Sequence, residues 1–102
     1  MTQPAIDAPQ HDKARWWRED VMDLSRKQLA ALTGVSVSRI ADMEAGKTRG
    51  NGKPIDPGTM RRYRMACAAV ALGAEFDWLT LRLRPSKATI IVEMHDETDR
   101  QA

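Results

Sequence analysis

Two pairs of serine and glycine residues between positions 25 and 46 strongly restrict how this chain folds. Ser25 begins a Ser-Arg-Lys-Gln run, in which the serine caps one free N–H of a helix and the glutamine bonds another. Gly34 follows as the left-handed residue on which helices commonly end. Ser36 and Gly46 enclose a second segment in the same way. The pattern predicts two short helices joined by a tight turn.

The two predicted helices carry apolar residues that can form one shared core: Leu29, Val35, Ile40 and Met43. Two short helices joined by a glycine turn are typical of a helix-turn-helix. Over residues 24–49, LSRKQLAALTGVSVSRIADMEAGKTR, the sequence resembles the Xre/Cro family of phage-repressor-like transcriptional regulators. Predicted helices on either side extend the resemblance to about residues 12–80.

The resemblance and the patterning predict a mainly α fold: a five-helix repressor-like helix-turn-helix domain with a short C-terminal β-strand or hairpin. A first helix is expected from about residue 12, a fourth from Asp56-Pro57 to Leu72, and a short fifth around Phe76 and Trp78. The alternation over residues 81–84 and the β-branched run over 88–94 predict strands.

These elements divide the chain into four predicted regions. They are a flexible N-terminal tail over residues 1–11, the DNA-binding domain over 12–80, a strand-forming segment for dimerisation or partner binding over 81–94, and a frayed tail over 95–102. Two features depart from the resembled family. The loop over residues 50–58 is longer than its usual link, and the strand-like tail is not part of its common five-helix core.

Positive charge is concentrated in the middle of the chain. Residues 26–64 carry nine Lys or Arg and three Asp or Glu, a balance of +6, whereas the segments before and after them each carry −2, so that the chain totals +2. Such a distribution fits either an anionic partner such as double-stranded DNA or a solvated basic surface. The charge pattern alone does not choose between them.

Composition excludes several other classes of protein. The longest apolar runs fall short of the ~18 residues that a membrane-spanning helix needs, and one cysteine cannot form an intramolecular disulfide. His11, Cys67 and His95 lie too far apart in sequence for a metal-ligand motif. The first ten residues do not read as a signal peptide, so a cytoplasmic location is the expectation. With no catalytic motif, we expect no enzymatic activity and no cofactor.

The resemblance implies a recognition helix, Val37–Ala45, that lies in the major groove of DNA. Its outward residues are the predicted base-reading set: Ser36, Val37, Ser38, Arg39 and Asp42. Arg39 is the strongest candidate because a guanidinium can bond guanine O6 and N7 together. Alternatively, Arg39 pairs with Asp42 or a phosphate, and Asp42 orients Arg39 rather than reading cytosine. Glu44 is expected to tie the helix to the region of the preceding helix.

Phosphate contacts are predicted on both sides of the recognition helix, and they would position the protein without reading sequence. The candidates are Arg26, Lys47, Thr48, Arg49, Arg61 and Arg62. Lys53, in the unusual loop, is either a further groove or phosphate contact or a mobile solvated lysine.

The resemblance implies a sequence-specific transcriptional regulator. Such a protein would bind inverted repeats as a homodimer, through the major groove of DNA. The alternative is an antitoxin-type or other interaction module that binds a protein partner through its C-terminal segment. Edge strands rich in β-branched residues pair with other strands, so Ile90, Ile91 and Val92 are the predicted dimerisation residues.

Overall fold

Four α-helices and a β-hairpin make up the part of the chain that the structure, a computed structural model, describes: residues 2–84. The elements are α1 (Gln10–Trp16), which continues as a π-helical segment (Trp17–Val21), α2 (Arg26–Thr33), α3 (Val37–Ala45), α4 (Pro57–Leu72), β1 (Glu75–Asp77) and β2 (Arg82–Arg84). The chain divides into two compact units within α4, one ending at Arg64 and the other beginning at Met65. The mainly helical fold predicted from sequence is confirmed.

The first helix begins at Gln10, two residues before the predicted start, so the end of the predicted N-terminal tail is helical. Pro9 precedes it, and its carbonyl accepts hydrogen bonds from the N–H groups of Asp12 and Lys13 at 3.2 and 3.3 Å. The helix then widens into the π-helical segment, in which Met22 N–H bonds the Trp17 carbonyl five residues back at 2.9 Å. Arg18 is the buried residue of this segment.

The caps of α2 and α3 agree with the sequence prediction. Ser25 Oγ accepts the Gln28 N–H at 3.0 Å, and Gln28 Oε1 accepts the Ser25 N–H at 2.8 Å, which completes the capping box. Ser36 Oγ accepts the Arg39 N–H at 3.1 Å. Gly34 and Gly46 end the two helices in the left-handed conformation, with φ of 79° and 76°. Both helices therefore have the predicted bounds.

The centre of the core is formed by the helix-turn-helix pair and α4. Leu29, Ile40 and Met43 are fully or almost fully buried, and Tyr63 of α4 is buried as well. Val35, in the turn, is half-buried. Helix α3 packs against both α1 and α2, so it is held by two neighbouring helices. This burial of apolar surface holds the two short helices, which would be marginal in isolation.

A β-hairpin occupies the place of the predicted fifth helix. Gly73, with φ of 62°, ends α4, and β1 then pairs with β2 in antiparallel register, Phe76 opposite Leu83. The Asp77 carboxylate accepts the Leu79 N–H at 2.9 Å, and the Asp77 carbonyl accepts the Leu81 N–H at 2.8 Å. The prediction of a fifth helix is wrong. The backbone N–H and C=O groups that would bond one another within a helix instead bond the Asp77 side chain and the neighbouring strand.

The strand prediction is confirmed only in part. The alternation over residues 81–84 predicts an extended segment, and β2 lies there, paired with β1. The run over residues 88–94, with Ile90, Ile91 and Val92, lies outside the described residues.

Candidate nucleic-acid interface

The first turn of α3 presents short side chains to solvent. Val37 is 45% exposed, and Ser36 and Ser38 are exposed as well. The Ser36 hydroxyl is engaged in capping α3, and its Oγ lies 3.4 Å from the Ser38 Oγ. Of the predicted base-reading residues, Val37 and Ser38 are therefore accessible at the helix start, whereas Ser36 is tied to the backbone that follows it.

Arg39 and Arg49 share one carboxylate. Asp42 Oδ2 lies 3.6 Å from Arg39 Nη1, and Asp42 Oδ1 lies 3.4 Å from Arg49 Nε and accepts the Arg49 N–H at 3.3 Å. The Asp42 side chain is only 12% exposed, whereas those of Arg39 and Arg49 are 41% and 65% exposed. Asp42 thus contacts both the predicted base-reading arginine and a predicted phosphate-binding arginine, and both arginine side chains remain exposed.

The remaining predicted phosphate contacts occupy three places in the structure. Arg26 is half-buried in the first turn of α2, where its Nε bonds Glu44 Oε1 at 3.1 Å. Arg61 and Arg62 are exposed in the first turns of α4, and Arg62 Nη2 donates to Thr59 Oγ1 at 3.2 Å. Lys47 and Thr48 directly follow α3, next to Arg49.

Thr48 and Arg49 belong to a closed turn rather than to an open loop. Residues 47–54, which we call the basic turn, are bridged at their ends by Lys47 and Pro54. Thr48 N–H donates to the Lys53 carbonyl at 2.9 Å, and Gly52 N–H donates to the Thr48 carbonyl at 2.8 Å. The long loop that departs from the resembled family therefore has internal structure.

The best-buried charged pair lies behind this surface and joins Arg18 to Glu44. Arg18 Nε donates to Glu44 Oε2 at 2.5 Å, and Arg18 Nη2 donates to Glu44 Oε1 at 2.9 Å. The Arg18 and Glu44 side chains are 6% and 1% exposed. The hydrogen bond that Arg18 donates to Glu44 is the main cause that raises the pKa of the Arg18 guanidinium above its ordinary value. This two-point contact ties α3 to the π-helical segment.

Glu44 also fulfils the structural expectation from sequence, because Arg26 of α2 is its third contact. Sequence reasoning missed Arg18. Its sequence signal was weak, because an arginine between Trp17 and Glu19 looks like a surface residue of an amphipathic helix. The π-helical segment and the partner 26 residues away are what place it inside.

Within residues 2–84, no helix is long and apolar enough to cross a membrane. In the same range, no cluster of His, Cys, Asp and Glu side chains is arranged to hold a metal ion.

Comparison with known proteins gives one match. Residues 15–49 match a family model described as a helix-turn-helix, a range that covers the end of α1 to the start of the basic turn. Neither a curated protein nor a solved structure matches the chain. The matched range contains both helices, both glycine caps and the Arg18–Glu44 pair, and a helix-turn-helix is a DNA-binding unit. Over this segment, the chain is similar to the Xre/Cro-like helix-turn-helix family.

Proposed function

We propose that this protein is a sequence-specific DNA-binding transcriptional regulator whose α3 reads the major groove. The observation that carries the proposal is the Arg39–Asp42–Arg49 arrangement, in which one largely buried carboxylate orients two exposed guanidinium groups beside the recognition helix. A pre-oriented guanidinium loses less conformational entropy on binding than a free one. Such an arrangement suits an interface that must meet a base edge and a phosphate together.

Within this interface, we assign base reading to the residues at the start and outer side of α3. Arg39 bonds a guanine edge, and Val37 packs against a thymine methyl group. Ser38 bonds a base or a phosphate, and Ser36 caps the helix near the same groove. Asp42 acts as a positioning residue, because its carboxylate is nearly buried and already serves two arginines.

Phosphate binding falls to Thr48 and five cations that precede or follow α3 in the sequence. Arg49, Lys47 and Thr48 follow the helix, Arg26 lies at the start of α2, and Arg61 and Arg62 lie at the start of α4. Glu44 restrains Arg26, so this arginine contributes a fixed donor rather than a free charge. Contacts of this kind set the register of the protein on DNA and carry no sequence information.

We further propose that the protein acts in the cytoplasm as a homodimer on inverted repeats and regulates its own gene. A single recognition helix buries too little surface for tight specific binding. Two helices related by a twofold axis would meet half-sites about 10–10.5 bp apart, or a multiple of that spacing. Dimerisation through Ile90, Ile91 and Val92 remains a prediction from sequence.

An antitoxin-type or other interaction module is the second candidate. It is favoured by four apolar side chains that are exposed in β1 and in the turn that leads to β2: Phe76, Trp78, Leu79 and Leu81. Phe76 and Trp78 meet edge to face, with ring centroids 5.4 Å apart. Aromatic side chains exposed in this way are characteristic of protein-binding surfaces. In this reading, DNA binding and partner binding reside in different parts of the chain.

Selection of bound duplexes from a random DNA pool, at near-physiological salt, tests the proposal. We expect an enriched inverted repeat, and we expect Arg39→Ala to lose about 1–3 kcal/mol of discrimination at one base position of each half-site. An equal loss of affinity for all sequences would reassign Arg39 to a phosphate. Retention of DNA without any enriched motif would reject sequence-specific regulation and favour the interaction module.

A further inference from the structure

The basic turn is organised around one amide side chain. Asn51 Oδ1 accepts the Lys53 N–H at 3.0 Å and lies 2.9 Å from the Thr48 hydroxyl. The Lys53 N–H can only donate, so its contact determines that the amide oxygen faces inward. The Nδ2 amino group is therefore directed away from the turn, and no other group within residues 2–84 bonds it.

The surface around Asn51 is uniformly basic and exposed. Lys47, Arg49 and Lys53 are exposed, and the sequence contains no acidic residue between Glu44 and Asp56. Gly50 and Gly52 flank Asn51, and open space surrounds the position that a Cβ atom would take at either glycine. The tip of the turn is consequently narrow, positively charged along its sides, and equipped with one amide donor.

Hydrogen bonds and an ion pair join the turn to the end of α3. Ile55 N–H donates to the Gly46 carbonyl at 3.1 Å and closes the base of the turn, while Asp42 of α3 holds both the backbone and the guanidinium of Arg49. Placement of α3 in a groove therefore also determines where the tip lies. Such preorganisation lowers the entropy lost on binding.

We infer that the tip of the basic turn enters the DNA minor groove beside each half-site and selects A·T pairs there. The inference rests on the proposed function. In the proposed complex, the sugar–phosphate strand that Arg49 binds separates the major groove from the adjacent minor groove, and Asn51 lies two residues beyond Arg49. In the minor groove, adenine N3 and thymine O2 accept hydrogen bonds, whereas guanine places its N2 amino group there. An amide donor can bond the acceptors that an A·T pair presents in the minor groove. The minor groove of A·T tracts also attracts cations, such as those that flank Asn51.

The test uses duplexes that carry the enriched motif and differ only in the base pairs flanking it: A·T, G·C or inosine·cytosine. Inosine·cytosine presents the major groove of G·C without the guanine amino group in the minor groove, so it separates the two kinds of reading. We expect the full chain to bind the A·T and inosine·cytosine flanks equally, and about fivefold or more tighter than the G·C flanks.

Two variants assign the effect to the turn. Asn51→Ala should abolish the preference among flanks, and Asn51→Asp should do the same while it retains the oxygen that Thr48 and Lys53 contact. Amide hydrogen exchange at Thr48 and Gly52, whose N–H groups bond within the turn, reports whether each variant keeps the turn closed. Arg82→Gln, which removes a cation from the hairpin, is the control and should leave the flank preference unchanged.

The outcomes separate this inference from the proposed function. The minor-groove assignment is overturned if the protein binds all three flanks equally, or if the flank preference survives in Asn51→Asp. In either case, an enriched motif that depends on Arg39 still supports the proposed function. A preference for A·T over both other flanks also overturns the assignment, because it would follow the major groove. Loss of all sequence dependence, including that of Arg39, rejects the proposed function itself.

Discussion

Arg18 and Glu44, 26 residues apart in sequence, form a two-point ion pair with N–O distances of 2.5 and 2.9 Å. Both side chains are almost completely removed from solvent, and Arg26 adds a third donor to Glu44 at 3.1 Å. The pair joins the π-helical segment to α3, so the helix that we propose to read DNA takes its position from a charge contact as well as from Leu29, Ile40 and Met43.

Removal of one partner of this pair should be strongly destabilising. Arg18→Met leaves the Glu44 carboxylate buried without its main donor, and we expect the free energy of unfolding to fall by about 3–5 kcal/mol. Chemical denaturation measures the loss. Glu19→Gln is the control, because Glu19 also contacts Arg18 but its side chain is 32% exposed. If Arg18→Met costs no more than Glu19→Gln, the buried pair is not a major support of the fold.

The two glycines that end α2 and α3 should differ in their tolerance of alanine. At Gly34 a Cβ atom meets open space, and Gly34→Ala should cost about 1–2 kcal/mol for the left-handed backbone alone. At Gly46 a Cβ atom would lie 2.6 Å from His11 Nδ1, so Gly46→Ala should cost more. Thermal unfolding compares them, and His11→Ala should remove the excess. Equal costs at both glycines would contradict the close packing of His11.

Asp42→Asn should weaken sequence discrimination without weakening binding in general. The change removes the charge that orients Arg39 and Arg49, and about 1 kcal/mol of discrimination should be lost, the scale of a partly exposed ion pair. Competition between the selected motif and unrelated DNA measures this loss. Asp56→Asn removes the same charge at the start of α4, where asparagine also caps well, and should leave discrimination intact. Discrimination that is the same in both variants would remove Asp42 from its positioning role.

Arg49→Gln should weaken binding to all sequences to a similar extent. If this exposed guanidinium binds a phosphate, its loss releases one counterion fewer, and the slope of log affinity against log salt should fall by about one unit. A salt titration of Arg49→Gln beside Arg82→Gln measures the difference. An unchanged slope would mean that Arg49 serves the turn and Asp42 but contacts no phosphate.

Glu19 should give the protein a small acid sensitivity. The hydrogen bond from Arg15 is the main cause that lowers the pKa of Glu19 below its ordinary value of 4.5, with smaller effects from Arg18. A carboxylate with a lowered folded-state pKa stabilises the fold above 4.5, and this contribution disappears as the pH falls through the folded pKa. Glu19→Gln should therefore flatten the dependence of stability on pH in the acid range, and Arg15→Gln should reproduce most of the change. An unaltered acid profile in Glu19→Gln would contradict this assignment.

The sequence by itself determined the elements whose hydrogen bonds close within a few residues. The capping box of Ser25 and Gln28, the Ser36 cap and the two left-handed glycines act over three or four positions, so the bounds of α2 and α3 could be predicted without knowledge of the rest of the chain. The same is true of the family resemblance, which rests on these residues.

The tertiary structure decided what depends on partners that are distant in sequence. Arg18 is buried because Glu44 lies opposite it, and Asp42 turns inward because Arg39 and Arg49 converge on it. Residues 75–84 form a hairpin instead of a helix because β1 finds a partner in β2. In each case the cost of burying a charge or an unpaired backbone group is offset only by a specific second group, and local sequence preferences do not reveal where that group lies.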